Sequence, residues 1–404
     1  MDTKITKLNN NIEFAYKRNP NTPRVAFYLN FSLNKPSLLP GVYSLMVRLF
    51  MQGTKSLTAQ QLSEELDKYA IDFSAELKLD YIKFKFVCLN EDFEKALEIF
   101  TDIVKNTTFE EFEKERTKLQ GEIVAELDSP RAKIIDSYYK NIYEGHNYGF
   151  TNTVILENLP NIKKDDVINA YNEIVANSKK VCAFVGDLDF EYVDNLLQKH
   201  LGDIKESTET LPELPRPILK EMKNVEVIQD DLNQAHILKG WTVSSADSDD
   251  FAAISLLNII LGASGLSSRL FLELRDKKGL AYVVRSAYDV ARLSANFSIY
   301  IATEPNNIET SLKGFEEEIQ KIKTVLVSEE ELENAKNNIF GKWAFISETN
   351  SQQANWLAHY GVMGFGYDFH KKAVEKIKKV TPQDIINCAN KYFNDTYVLT
   401  VLKP

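Results

Sequence analysis

Apolar and polar residues alternate in the opening segments of the chain, then give way to a spacing of three and four. NIEFAYKR (11–18), RVAFYLNFSL (24–33), DFSAELKL (72–79) and YIKFKFVCL (81–89) read as strands. In the last of these, Tyr81, Lys83 and Lys85 alternate with Ile82, Phe84 and Phe86. That is the period of two that sends successive side chains to opposite faces of a sheet. Helical spacing appears at about 40–52, 58–69, 91–105, 109–127 and 163–175. Val42, Leu45, Met46 and Leu49 fall at i, i+3, i+4 and i+7, one apolar stripe of a helix. Strands in meanders and helices in runs predict an α+β fold. Its unit is a largely antiparallel sheet covered on one face by helices.

The pattern occurs twice. FEEFEKERTKLQGE (109–122) resembles SEEELENAKNNIFGK (328–342), with Phe112, Glu113, Leu119 and Gly121 each 220 positions before Leu332, Glu333, Ile339 and Gly341. DDVINAYNEI (165–174) resembles QDIINCANKYF (383–393), and an apolar run follows each, VCAFVGDL and VLTVLKP. QLSEEL (61–66) against RLFLEL (269–274) is a weaker third match in the same order. A long period of this kind dictates architecture. The proline-rich, charged stretch ESTETLPELPRPILKEMKN (206–224) separates the copies. The expected organisation is therefore two homologous domains, 1–207 and 224–404, joined by a linker at 208–223.

Composition narrows the function classes. A chain of 404 residues with 44% hydrophobic and 26% charged residues is ordinary for a soluble globular protein. Its net charge of -10 argues against nucleic acid, whose phosphates need a basic face. No stretch approaches the roughly 20 apolar residues of a membrane span, and the first residues hold no apolar secretory core. Cys88, Cys182 and Cys388 lie far apart, two of them in strand-like runs, and read as free thiols of a reducing compartment. These features predict a cytoplasmic protein.

Three segments carry the candidate chemistry. They are GVYSLMVRLFMQGTKSLTAQQLSEEL (41–66), EKERTKLQGEIVAEL (113–127) and GASGLSSRLFLELRDKKGLAYVVRSAYDV (262–290). Together they resemble the pitrilysin and mitochondrial-processing-peptidase family of inverzincins, over nearly the whole chain. That family carries H-x-x-E-H on a helix before a Gly-Thr, then a glutamate-rich helix. Aligned on Gly53-Thr54, the resemblance puts Ser44 and Arg48 at the two histidines and Val47 at the glutamate. Glu122 falls at the third zinc ligand and Glu115 at the accessory glutamate. Positions i, i+3 and i+4 share a helix face, so two imidazoles and a base there can converge on one metal and its water. Serine, valine and arginine cannot, and a guanidinium repels a cation. His146, His200, His236, His359 and His370 show no ligand spacing in the sequence. No metal is therefore expected in this chain. Arg48 is expected to fill the metal's place against Glu122 and Glu115.

The resemblance also implies a positive role. Arg275 and Tyr282, in LRDKKGLAY, match the family's Arg–Tyr pair. In active members that pair reaches the zinc site from the opposite half. A guanidinium grips a substrate carbonyl or carboxylate, and a phenol donates to a developing oxyanion. The glycines of GASG (262–265) read as a loop between helices, because no phosphate-loop or dinucleotide fingerprint accompanies them. The expectation is a non-catalytic subunit of a heterodimeric zinc peptidase acting on unfolded peptides. It would bring Arg275 and Tyr282 to a homologous partner with an intact H-x-x-E-H and its zinc. The alternative is a catalytically inactive homodimeric scaffold or peptide-binding protein of the same fold. A third is weak hydrolysis through a non-standard metal site at Glu115 and Glu122.

Overall fold

The computed structural model describes residues 3–33, 39–211 and 213–404. Met1, Asp2 and the linker residue Pro212 fall outside them. The expected strands and helices form, with small shifts at their ends. The first sheet has six strands: β1 (Lys4–Lys7), β2 (Glu13–Arg18), β3 (Arg24–Ser32), β4 (Asp72–Leu77), β5 (Tyr81–Leu89) and β6 (Lys180–Gly186), in the order β1-β2-β6-β3-β5-β4. The second has five: β7 (Lys223–Ile228), β8 (Ala235–Val243), β9 (Ala281–Val290), β10 (Ala295–Thr303) and β11 (Val398–Lys403), in the order β7-β11-β8-β10-β9.

The two orders are one topology. β2 pairs parallel with β6, as β7 does with β11. Every other ladder is antiparallel, and β3, β5 and β4 correspond to β8, β10 and β9. β1 is an extra edge strand in the first sheet. The repeated segments occupy matching elements. The helices Phe112–Leu127 and Glu329–Phe345 correspond, as do Lys164–Asn177 and Pro382–Tyr392.

The first core forms on one face of its sheet. Phe27, Phe86 and Phe84 meet Phe100 of the helix Phe93–Asn106, and Phe184 meets Phe93. The stripe Val42, Leu45, Met46 and Leu49 is buried in the helix Val42–Leu49. The second core gathers Ile237, Trp241, Phe297 and Ile299 of the sheet with Leu256, Leu261, Leu274, Phe315 and Ile385.

Contacts divide the chain into two compact units. Residues 1–122, 156–214 and 345–367 make the first, and 123–155, 215–344 and 368–404 make the second. The contiguous halves 1–207 and 224–404 differ from these units at two helices. Asn350–Met363 counts with the first unit because Ala354, Leu357 and Ala358 pack on Ala15, Ala26, Tyr28, Ala183 and Val185. These are the residues of β2, β3 and β6 that point away from the aromatic core. Pro130–Ile142 counts with the second unit because its Tyr138 is fully buried and would touch any side chain placed at Gly240 of β8. Each sheet therefore carries helices on its second face as well. This explains why the alternation in β5 does not reach solvent. Tyr81 is 7% and Lys83 9% exposed. Tyr81 bonds His359 at 3.0 Å, while Lys83 pairs with Glu76 at 2.9 Å. No helix among the described residues is long and apolar enough to cross a membrane. Cys88, Cys182 and Cys388 are free and buried.

Candidate functional site

The helix Val42–Leu49 turns Ser44, Val47 and Arg48 to the side opposite its apolar stripe, where all three are half-buried. A turn pins its far end. Gly53 takes a φ of 115°, a left-handed value that glycine reaches without strain. Thr54 and Ser56 donate to Asp102 at 2.5 and 2.6 Å. Burial alone would raise the Asp102 carboxyl, but these bonds and one from Asn106 hold it below the usual carboxylate range. Asp102, on the helix Phe93–Asn106, was not legible as a partner of Gly53-Thr54, because the two lie far apart in sequence.

The helix Phe112–Leu127 supplies two carboxylates at i and i+7. Glu115 is 3% exposed, whereas Glu122 faces solvent. Arg48 bridges them. Its Nε donates to Glu115 at 3.1 Å, and its two terminal nitrogens donate to the two oxygens of Glu122 at 2.8 and 2.9 Å. The second contact is the two-pronged fork that guanidinium and carboxylate geometry favours. Hydrogen bonding to Glu122 raises the Arg48 pKa against the opposing effect of burial. The same bond holds the Glu122 carboxyl below its usual range.

In the second unit, the apolar helix Phe251–Asn258 continues into a wide turn, Ile259–Ala263. The expected loop at GASG thus begins inside a helical element. Gly262 is required there, because a Cβ would collide with the backbone nitrogen of Ser286 on β9. A second wide turn, Phe271–Lys277, carries Arg275. Turns of this π type are uncommon and often mark sites. Leu274 and Leu280 are buried and anchor the segment, while Leu272 is 40% exposed. Tyr282 is the second residue of the edge strand β9 and is 75% exposed. The Arg275 guanidinium lies 4.8 Å from the centre of the Tyr282 ring and 4.6 Å from that of Phe271. Among the described residues Arg275 has no carboxylate partner. The two residues are therefore held side by side, with a free charge and an exposed phenol.

Comparison with known proteins agrees with this architecture. A model described as Insulinase (Peptidase family M16) matches residues 13–151, and one described as Peptidase M16 inactive domain matches residues 161–339. The chain belongs to the M16, or pitrilysin, family. An uncharacterised zinc protease of Rickettsia felis is 26% identical over 409 residues, 99% of this chain and 97% of its own. The zinc protease PqqE of Helicobacter pylori is 24% identical over 383 residues, 90% of this chain and 83% of its own. A crystal structure of a protease from Helicobacter pylori superposes with a TM-score of 0.89 at 21% identity, covering 100% of this chain and 99% of that one. A peptidase M16 inactive domain from Pseudomonas fluorescens gives 0.88 at 19% identity, covering 100% and 98%.

Zinc is the metal in the names of these relatives. The face built by Ser44, Val47 and Arg48 does not fit it. It offers no imidazole and no thiolate, and the guanidinium already occupies both nearby carboxylates. The structure thus brings Arg48, Glu115 and Glu122 together in the first unit, and Arg275 with Tyr282 in the second. Ser44 and Val47 make no polar contact with the carboxylate pair.

Proposed function

We propose that this M16 chain is the non-catalytic subunit of a two-chain zinc peptidase that acts on unfolded peptides. In this reading the partner is a homologous chain with an intact H-x-x-E-H, and this chain lends it Arg275 and Tyr282. The observation that carries the reading is the contrast between the two faces. At one, a fixed cation is tied to Glu115 and Glu122 by three hydrogen bonds. At the other, a guanidinium lies against the rings of Phe271 and an exposed Tyr282, and among the described residues no carboxylate neutralises it.

The chemistry follows from the side chains. A cation over an exposed aromatic ring is worth only about 0.5–1 kcal/mol, so a substrate carbonyl or carboxylate easily draws Arg275 away. The Tyr282 hydroxyl then donates to the carbonyl oxygen as negative charge builds on it. Zinc and an activated water are what the partner would supply.

The test mixes purified chain with that partner and follows cleavage of an unstructured peptide. Cleavage is expected in the mixture and not from this chain alone. Tyr282→Phe should lower kcat in the mixture by about a hundred-fold, as loss of one oxyanion donor does. Arg275→Ala should chiefly raise KM. Chelator-sensitive cleavage by this chain alone would overturn the proposal, as would a mixture indifferent to both substitutions.

A further inference from the structure

We propose that Glu94, Glu98 and His200 form a binding site for a divalent transition-metal ion of the zinc class, away from the Arg48 cluster. Glu94 and Glu98 stand one turn apart on the helix Phe93–Asn106, so their carboxylates share a face. His200 comes from the last turn of the helix Phe190–Leu201, which packs beside it in the first unit. One ligand atom from each of the three lies within 4.8 Å of the others. That spacing suits an imidazole nitrogen and two carboxylate oxygens around one ion, with water completing the shell.

A second observation singles out the imidazole. Nε2 of His200 is buried and has no hydrogen-bond partner. A buried ring nitrogen without a partner is costly, and a metal ion would satisfy it.

The competing contacts are weak ones. Lys199 donates to one oxygen of Glu94 at 3.1 Å, and Lys95 stands 3.7 Å from one oxygen of Glu98. The other oxygen of each carboxylate makes no hydrogen bond among the described residues. Exposed ion pairs of this kind are loose and screened by salt, and a dication displaces them. Imidazole with carboxylates selects zinc, nickel or cobalt over magnesium and calcium, which prefer oxygen alone. The ion would clamp the two helices and stabilise the first unit by linkage. No histidine spacing announces this site in the sequence, because His200 lies far from the two glutamates.

Tag-free full chain, stripped with chelator and desalted, is titrated with zinc chloride and with nickel chloride in a calorimeter. One ion per chain is expected, with affinity that excess magnesium or calcium leaves unchanged. His200→Ala and Glu98→Gln should each weaken it by about ten-fold or more, since each removes a direct ligand. His370→Ala, at a histidine whose ring lies tilted against Trp343, should not. Zinc should raise the melting temperature of the native chain and not of His200→Ala. Glu98 is exposed, so Glu98→Gln keeps the test open should His200→Ala fold poorly. Absence of saturable binding, saturation that needs millimolar metal, or binding unchanged in both variants would overturn the proposal. None of these readouts depends on peptidase activity.

Discussion

Arg48 shows how one side chain can change what a helix face does. The positive charge presented to Glu115 and Glu122 is a guanidinium, permanently attached to the chain. Arg48→Ala leaves the nearly buried Glu115 without its strongest partner. The expected loss is about 3 kcal/mol, at the low end for breaking a buried pair because Glu122 stays solvated. Urea unfolding at pH 7 measures it, and Glu122→Gln should cost less than Arg48→Ala. A second residue sets a pH response. His359 lies among Tyr81, Trp356, Tyr360 and Phe365, and burial pushes its pKa down to about 4. The unfolded chain, with an ordinary histidine near 6.5, takes up the proton first. Stability is therefore intact above about pH 6.5 and declines as pH falls toward about 4, by up to roughly 3 kcal/mol. Denaturant midpoints at pH 7.5 and pH 5 should differ less in His359→Gln than in the native chain.

At the scale of elements, the Arg275–Tyr282 pair depends on how two wide helical turns meet an edge strand. Gly262 lets the first turn lie against the backbone of β9, and Ser286 there bonds Asn258 at 2.6 Å. Backbone atoms cannot step aside as a flexible side chain can. Gly262→Ala should therefore destabilise the second unit by about 1–3 kcal/mol, as overpacking does. It should also disturb Tyr282, which β9 carries. Thermal melting reads the first effect, and the KM and kcat of the two-chain mixture read the second. Alternation made the strands legible, and the three-four spacing made the helix Val42–Leu49 legible with its buried stripe. The helix Pro130–Ile142 escaped, because its sequence PRAKIIDSYYKNI mixes polar and aromatic residues without a clean apolar stripe. Tyr138 is buried and Tyr139 half-buried, and both meet polar groups. Tyr139 donates to Asp289 at 2.7 Å, and Asn296 donates to Tyr139 at 3.2 Å.

At the scale of the whole molecule, each unit draws a helix from the other half of the sequence. Fragments cut at the linker should accordingly fail to fold alone. Residues 1–207 would expose Ala26, Tyr28, Ala183 and Val185, which the helix Asn350–Met363 covers. Residues 224–404 would leave Gly240 and Asn296 without Tyr138. Each loss strips a sheet face of the helix that covers it. Co-expression of the two fragments should restore native circular dichroism and a cooperative melt. Independent folding of either fragment would contradict the exchange.

The sequence by itself determined the α+β class, the duplication, the degenerate helix face and the candidate pair Arg275 and Tyr282. The class and the duplication depend on periodicity and on order along the chain, while the degenerate face and the pair depend on motifs that resemble those of a known family. All of these can be read from the linear chain without knowing what packs where. Only the tertiary structure decided that Arg48 forks onto Glu122 while touching Glu115. Only it decided that Arg275 leans on the ring of Tyr282, and that Glu94 and Glu98 meet His200. Those outcomes depend on where distant segments come to lie, and packing sets that. The exchanged helices belong with them, because nothing in the composition of a helix states which sheet will bury it.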